Sequence, residues 1–302
     1  MYDIAIVGAG TAGLSAAIYA VRSGKKTVII EKKCYGGQII NSPEVENYPG
    51  IKKISGFDFA TGLYEQAMEM GAELEFGKVT GLHLGEGSKR VILEDKDIAC
   101  KAIVLATGVK RRPLGIEKEE QLTGHGVSYC ATCDGAFYKG QEVAVVGGGS
   151  TALEDAMFLS GYCSKVTLIH RRDLFRGEQS LVKELRNREN VEFMLDSKVT
   201  GLEGEDKLSR IRIENTNNGE TSEIPVQGLF VAIGQIPDNE AYKDVIKIDE
   251  KGYIFAGEDC RTSADGVFAA GDCRTKQVRQ LTTAAADGAI AGLAASQYAD
   301  LV

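Results

Sequence analysis

The chain has 302 residues, room for about two domains at roughly 100 to 200 residues each, and its 36 Gly are about 12 % of the total against an average near 7 %. With 35 Lys and Arg against 43 Asp and Glu the net charge is −8, a field that repels a phosphate backbone or an anionic lipid surface, so neither nucleic acid nor membrane is an expected partner. No apolar run approaches the ~20 residues that span a bilayer, the chain starts directly on a strand pattern, and seven Cys with a single close pair do not make a secreted disulfide framework; a soluble, cytoplasmic protein is expected.

The first predicted element is the strand Asp3 to Val7, followed by Gly8-Ala9-Gly10-Thr11-Ala12-Gly13, a helix, and the strand Thr27 to Glu31. This is a dinucleotide loop in its required setting: glycines let the backbone turn tightly beneath a pyrophosphate on the helix N-terminus, and Glu31 accepts hydrogen bonds from a ribose diol. Ser55 then caps a helix whose apolar stripe of Phe59, Ala60, Leu63, Tyr64, Ala67 and Met68 reads as core packing. Short β-rich runs from Glu73 to Leu105 end in Ala106-Thr107-Gly108, as an antiparallel excursion returning to the parent sheet.

Pro113-Leu114-Gly115 and Pro237-Asp238-Asn239 are turn-rich breaks that bracket a second nucleotide unit. The expected layout is one domain inserted into another: 1–112 and 241–302 form the first, 113–240 the second, with the paired breaks as a hinge. Inside the insert, Gly147-Gly148-Gly149-Ser150-Thr151-Ala152 superposes on the first loop after a shift of 139 residues, without a gap. At that shift His170 replaces Glu31 and is followed by Arg171, Arg172 and Arg176. Loss of the diol acceptor and gain of three guanidinium donors suits a 2′-phosphate, hence NADPH; a solvated basic turn is the bland alternative. Two such sites imply a tightly held flavin and an exchangeable nicotinamide.

Just upstream of the second loop stands Cys130-Ala131-Thr132-Cys133-Asp134. Two intervening residues let a small redox disulfide close, and Asp134 is placed to take and give protons as the thiols cycle. A zinc site recruiting His125 still lacks a fourth ligand. Cys34, Cys100, Cys163, Cys260 and Cys273 read as small buried hydrophobes, Cys34 among them adjoining a cofactor loop. Toward the C-terminus Thr262 to Asp272 reads as a strand delivering Gly271-Asp272 to a ligand. Arg279-Gln280 then precede an Ala-rich helix, Thr282 to Tyr298, whose N-terminus faces the electron-rich end of a flavin ring.

Taken together, the Gly8–Gly13 loop with Glu31, Gly36-Gly37-Gln38, Glu46 to Gly50, Cys130 to Gly135, the His170–Arg176 cluster and Gly271-Asp272 with Arg279-Gln280 resemble low-molecular-weight thioredoxin reductases over essentially the whole chain. The resemblance implies an α/β fold of two Rossmann-like three-layer domains, the NADPH domain inserted into the FAD domain, and a homodimer through the FAD domains. It implies that NADPH reduces FAD, that electrons pass to the Cys130/Cys133 disulfide, and that the dithiol reduces thioredoxin. Cys133 is then the thiol nearer the flavin, Cys130 the one that attacks substrate, and Asp134 the acid. The FAD contacts it implies are Gly8, Gly10, Thr11, Ala12, Gly13, Glu31, Lys32, Gly37, Gln38, Asn47, Val79, Thr107, Gly108, Gly271, Asp272, Arg279, Gln280 and Leu281. Those for NADPH are Gly147, Gly149, Ser150, Thr151, His170, Arg171, Arg172, Arg176, Ile233 and Gly234.

Ser150-Thr151 stand where the family often has Asp-Ser, and Ala286 where it usually has Gly, which touches fine contacts and no charged one. The glutathione and lipoamide reductase branch fits less well, because its redox cysteines lie in the first domain. Two other readings use the same residues: a flavin enzyme fed by another donor such as reduced ferredoxin, whose relatives tend to lack the arginine cluster, and a flavin-loaded redox sensor, which steady turnover with a thioredoxin distinguishes.

Overall fold

Tyr2–Val7 (β1), Thr11–Arg22 (α1) and Thr27–Glu31 (β2) open the chain as a parallel β-α-β unit. Gly56–Glu69 (α2), Glu73–Phe76 (β3), Val79–Leu84 (β4), Lys89–Leu93 (β5), Asp97–Leu105 (β6) and Val109–Arg111 (β7) follow. Ser55 Oγ caps α2 by accepting the Asp58 N–H at 3.0 Å. The sheet order is β3-β2-β1-β6-β5-β4, parallel as far as β6 and antiparallel from β6 to β4. Ile4, Ile6 and Ile29 bury into one face with α1, while Ala5, Val7, Val28 and Ile30 bury into the other. Both faces are covered, which is why these strands read as nearly continuous apolar runs. The structure is a computed structural model that describes residues 1–42, 44–85 and 88–302.

The chain divides into two units, Met1–Lys110 with Ile236–Val302, and Arg111–Gln235. The second unit contains Glu119–Leu122 (α3), Val127–Ser128 (β8), Ala131–Asp134 (α4), Glu142–Val146 (β9), Ser150–Ser160 (α5), Lys165–Ile169 (β10), Gln179–Arg186 (α6) and Val191–Met194 (β11). Ser197–Glu203 (β12), Arg210–Asn215 (β13), Thr221–Pro225 (β14) and Gly228–Val231 (β15) complete the series, and Gln235–Pro237 (β16) crosses back to the first unit. Its parallel sheet runs β11-β10-β9-β15-β8, and β12-β13-β14 form a separate antiparallel sheet. Val143, Val145 and Leu168 pack on α5 through Leu153, Ala156 and Leu159. Ala144, Val146 and Ile169 pack on Val199, Ile211 and Ile213 of the antiparallel sheet. Helices, parallel sheet and antiparallel sheet thus make three layers.

On return to the first unit, Val267–Ala269 (β17) pairs with the C-terminal half of β6, from Ile103 to Leu105, beyond the stretch that β5 covers. Leu281–Leu301 (α7) packs along α1. Gly288 and Gly292 make this possible, since a Cβ on either would lie 2.2 Å from Ala12 O and 2.5 Å from Ala16 O respectively. Two sequence expectations need correction. The strand expected over Thr262 to Asp272 shrinks to β17, because Ala264 and Gly266 bend the preceding segment and Gly271–Cys273 winds into a short 3-10 turn. The helix expected from Thr282 to Tyr298 starts one residue earlier and continues to Leu301. The chain passes from one unit to the other at Lys110/Arg111 in β7 and at Gln235/Ile236 in β16, the strand that ends at Pro237.

Candidate active site

The first loop lies where strand order reverses, between β1 and β6 at their carboxyl ends, the crevice where doubly wound sheets hold ligands. Gly8 takes φ +105°, and its carbonyl is so close to Gly13 that a Cβ there would sit 1.8 Å away. Gly13 therefore clamps α1 onto β1 and does not line the cavity. Glu31 is held at the end of β2 by the N–H groups of Ala9 and Lys33, each at 3.0 Å to one of its oxygens. Spare lone pairs remain for a diol. Gly36 N–H donates to Ala9 O at 2.8 Å, which sets Gly36-Gly37 against Gly10.

Two adjoining hollows of about 610 and 340 Å3 share Gly8, Glu31, Lys32, Thr107, Lys110 and Asp238 on their walls. Val79 lines the larger. Gly10, Thr11, Ala12, Gly37, Gln38, Gly108, Gly271, Asp272, Gln280 and Leu281 line the smaller. Asp272 Oδ1 is buried and has no hydrogen-bond partner among the described residues, and burial pushes its carboxyl above the ordinary carboxylate range. A buried acceptor left open this way awaits a hydroxyl. Loop N–H groups at a helix N-terminus, a carboxylate at a strand end with open lone pairs and an unpaired buried acceptor together fit a dinucleotide that carries a polyhydroxyl chain.

Asp272 owes its position to residues that sequence reasoning missed. Gly271 N–H donates to Asp287 Oδ2 at 2.9 Å, and Asp287 is gripped by Arg274 through two bonds of 2.7 Å and by Lys276 at 2.9 Å. Burial alone would raise the Asp287 carboxyl, but the Arg274 and Lys276 hydrogen bonds hold it below its usual range. An acid set in a run of Ala and Gly, at Asp287, was the available signal. Besides Gly13, two expected contacts stand outside both walls: Asn47 donates to Gln280 Oε1 at 3.3 Å, and Arg279 lies over the Tyr253 ring with its guanidinium on the carbonyls of Asp272 and Arg274. Lys32 does line the walls, but it and Lys110 are ion-paired to Asp238 at 2.7 and 2.9 Å.

In the second unit the loop from Gly147 to Gly149 again falls at a reversal of strand order, between β9 and β15, and leads into α5 at Ser150-Thr151. Ile233 and Gly234 follow the end of β15, whose neighbour Ala232 donates to Val146 O. His170 is buried, stacked on Phe175 at 5.2 Å, with Nε2 donating to Leu174 O at 3.2 Å. Its ring fills the space over Gly148, where a Cβ would lie 2.0 Å from it. Burial holds its imidazole below the usual histidine range, and the charges of Arg176, Arg171 and Arg172 add to this. His170 is thus a wall beneath the loop, with its ring nitrogen already used. Arg176 and Gly177 N–H groups both donate to Gly148 O, at 2.8 and 3.3 Å, so the arginine segment is tied to the glycine loop. Arg171, Arg172 and Arg176 are exposed, and their guanidinium groups make no hydrogen bond or ion pair among the described residues.

Cys130 and Cys133 form a disulfide across the first turn of α4, with the Cys133 and Asp134 N–H groups on Cys130 O. Cys133 is exposed and Cys130 half-buried. Asp134 accepts a 2.5 Å bond from Ser128 Oγ, and burial pushes its carboxyl up while that bond and the Arg111 charge pull it back. The thiols of Cys100, Cys163, Cys260 and Cys273 are buried and pushed up by burial, hence unreactive. Cys34 is exposed on the wall of the smaller hollow.

Residues 2–288 match the family model of pyridine nucleotide-disulphide oxidoreductases. A thioredoxin reductase of Listeria innocua is 41 % identical over 301 residues, 99 % of this chain and 94 % of that protein. The crystal structure of a thioredoxin reductase from Streptococcus pyogenes has a TM-score of 0.96 at 41 % identity and covers 100 % of this chain and 99 % of its own. A thioredoxin reductase from Giardia duodenalis has a TM-score of 0.93 at 34 % identity, with 98 % of each chain covered.

Proposed function

The chain belongs to the pyridine nucleotide-disulphide oxidoreductases, and from that premise we propose that it is a thioredoxin reductase using FAD and NADPH. The observation that carries the reading is the Cys130–Cys133 disulfide, closed in the same unit as the second nucleotide loop. Bound FAD supplies two-electron exchange between a nicotinamide and a disulfide. Gly8, Gly10 and the N-terminus of α1 would hold its pyrophosphate, Glu31 its ribose diol, and Asp272 a hydroxyl of its polyhydroxyl chain. The exposed guanidinium groups of Arg171, Arg172 and Arg176 favour a donor with a 2′-phosphate. A donor without one, such as reduced ferredoxin, gives that cluster no task.

Two electrons and two protons open the Cys130–Cys133 bond to a dithiol. The Cys130 thiolate then attacks one sulfur of oxidised thioredoxin, forming a mixed disulfide and expelling the other sulfur as thiolate. Cys133 attacks Cys130 Sγ, which releases thioredoxin as a dithiol and restores the internal disulfide. Asp134 takes the proton of the attacking thiol and returns one to the departing sulfur, a task suited to a carboxyl lifted by burial. The resemblance also supports a homodimer through the first unit and a cytoplasmic site of action, and no helix among the described residues is long and apolar enough to cross a membrane.

The purified protein is expected to be yellow, with about one FAD per chain on the one-site reading of the first loop. Glu31→Ala is expected to hold FAD roughly tenfold more weakly or worse, since a hydrogen bond to a charged group contributes about 1.5 to 3 kcal/mol and 1.4 kcal/mol is one decade. Equilibrium flavin fluorescence measures both. A colourless protein that FAD does not reconstitute ends the flavoenzyme reading.

A further inference from the structure

Arg111, at the end of β7, is a half-buried cation that the mechanism above does not use. Its guanidinium carbon lies 5.1 Å from the centroid of the Tyr129 ring, and it makes no hydrogen bond or ion pair among the described residues. Tyr129 stands between Ser128, whose hydroxyl holds Asp134, and Cys130, the first redox cysteine. The nearby carboxylate of Glu119 is already engaged by the Tyr129 hydroxyl and by the Leu114 and Gly115 N–H groups, each at 2.8 Å. The remaining anion beside Arg111 is Asp134, held by the hydroxyl of Ser128 directly before the Tyr129 on which Arg111 rests. Facing Asp134 in turn are the Ser128 hydroxyl and the phenol of Tyr138, which burial and the Asp134 charge push up to about 12, so that it stays neutral.

We propose that Arg111 is a positioning residue for the redox centre, a positive charge seated on the Tyr129 ring that keeps Asp134 a carboxylate, able to accept the proton of the attacking thiol. A half-buried guanidinium without an ion pair is costly, and the flat face of a tyrosine offsets part of that cost while leaving the charge free to act on its neighbour. Burial acts on Asp134 in the opposite sense, toward the neutral acid. The balance between the two sets the pH at which Asp134 can serve as base. This inference rests on Cys130 and Cys133 being the redox pair that reduces thioredoxin.

The test uses the full-length flavin-loaded protein, reduced with dithiothreitol, freed of reductant and mixed with oxidised thioredoxin under anaerobic conditions from pH 5 to 9. In the wild type the exchange rate is expected to rise with pH along a limb that disappears in Asp134→Asn. Arg111→Gln is expected to move that limb to higher pH, with about a tenfold loss at its acid end and little loss at the alkaline end, because removing a neighbouring opposite charge favours the neutral carboxyl. Arg111→Lys, which keeps the charge and loses the stacked plane, is expected to fall between them. A limb unmoved in Arg111→Gln, or a loss equal at all pH values, overturns the proposal; Arg111→Ala is read the same way should the glutamine variant fail to fold. A wild-type protein that does not exchange with any thioredoxin instead overturns the functional reading beneath it.

Discussion

Cys130→Ser and Cys133→Ser are each expected to reduce thioredoxin no faster than a control without enzyme, while NADPH still bleaches the flavin at close to the wild-type rate. Hydride transfer precedes the dithiol and needs neither sulfur, whereas exchange with substrate needs one thiol to attack and a second to resolve. The two variants are expected to differ in what they trap. Cys133→Ser keeps the attacking thiol named by the family resemblance, so it should accumulate a mixed disulfide with a thioredoxin whose own resolving Cys is removed, visible on a non-reducing gel. Neither exposure nor burial singles out the attacker in the oxidised pair, where Cys133 is exposed and Cys130 half-buried. A mixed disulfide formed only by Cys130→Ser reverses the two roles. Wild-type turnover in either variant removes the pair from the mechanism.

NADPH is expected to outcompete NADH by about tenfold or more. A 2′-phosphate among Arg171, Arg172 and Arg176 gains charge-assisted hydrogen bonds of roughly 1.5 to 3 kcal/mol each, and 1.4 kcal/mol is a decade. None of the three guanidinium groups has another partner among the described residues, so no competing bond must be broken first. Replacing Arg171 and Arg176 together with Ala should raise KM for NADPH by about that factor and leave KM for NADH almost unchanged, since only the first donor has the phosphate. Equal effects on both donors would show that the cluster acts on the loop and not on the phosphate. The Arg176 N–H bond to Gly148 is a backbone contact and survives the substitution.

Both nucleotide loops were legible in the sequence because everything that makes them lies within about thirty residues: strand, glycine turn, helix and a strand-end acid or its replacement. What lay further apart was not. Asp287 pins Gly271 from 16 residues away, through a buried pair with Arg274 that no local pattern announces. His170 falls at the position to which the sequence pattern assigns ribose reading, yet its ring is drawn inward because Gly148 leaves a space and Phe175 offers a face to stack on. Lys32 was expected among the flavin contacts, and the structure pairs it with Asp238, which Lys110 also holds, a grouping made only when the two crossing segments meet. Arg111 and Tyr129 are ordinary residues until β7 and the segment before Cys130 are placed side by side.

The most direct test of the central claim is an anaerobic titration of the flavin-loaded wild type with NADPH, followed by oxidised thioredoxin, with flavin absorbance near 450 nm recorded throughout. We expect the band to bleach on NADPH and to recover on thioredoxin, with one thioredoxin disulfide reduced for each NADPH consumed. A flavin that stays oxidised under excess NADPH yet bleaches with reduced ferredoxin contradicts the account and returns the arginine cluster to a solvated turn. A flavin that bleaches but is not reoxidised by any thioredoxin contradicts it at the Cys130–Cys133 pair.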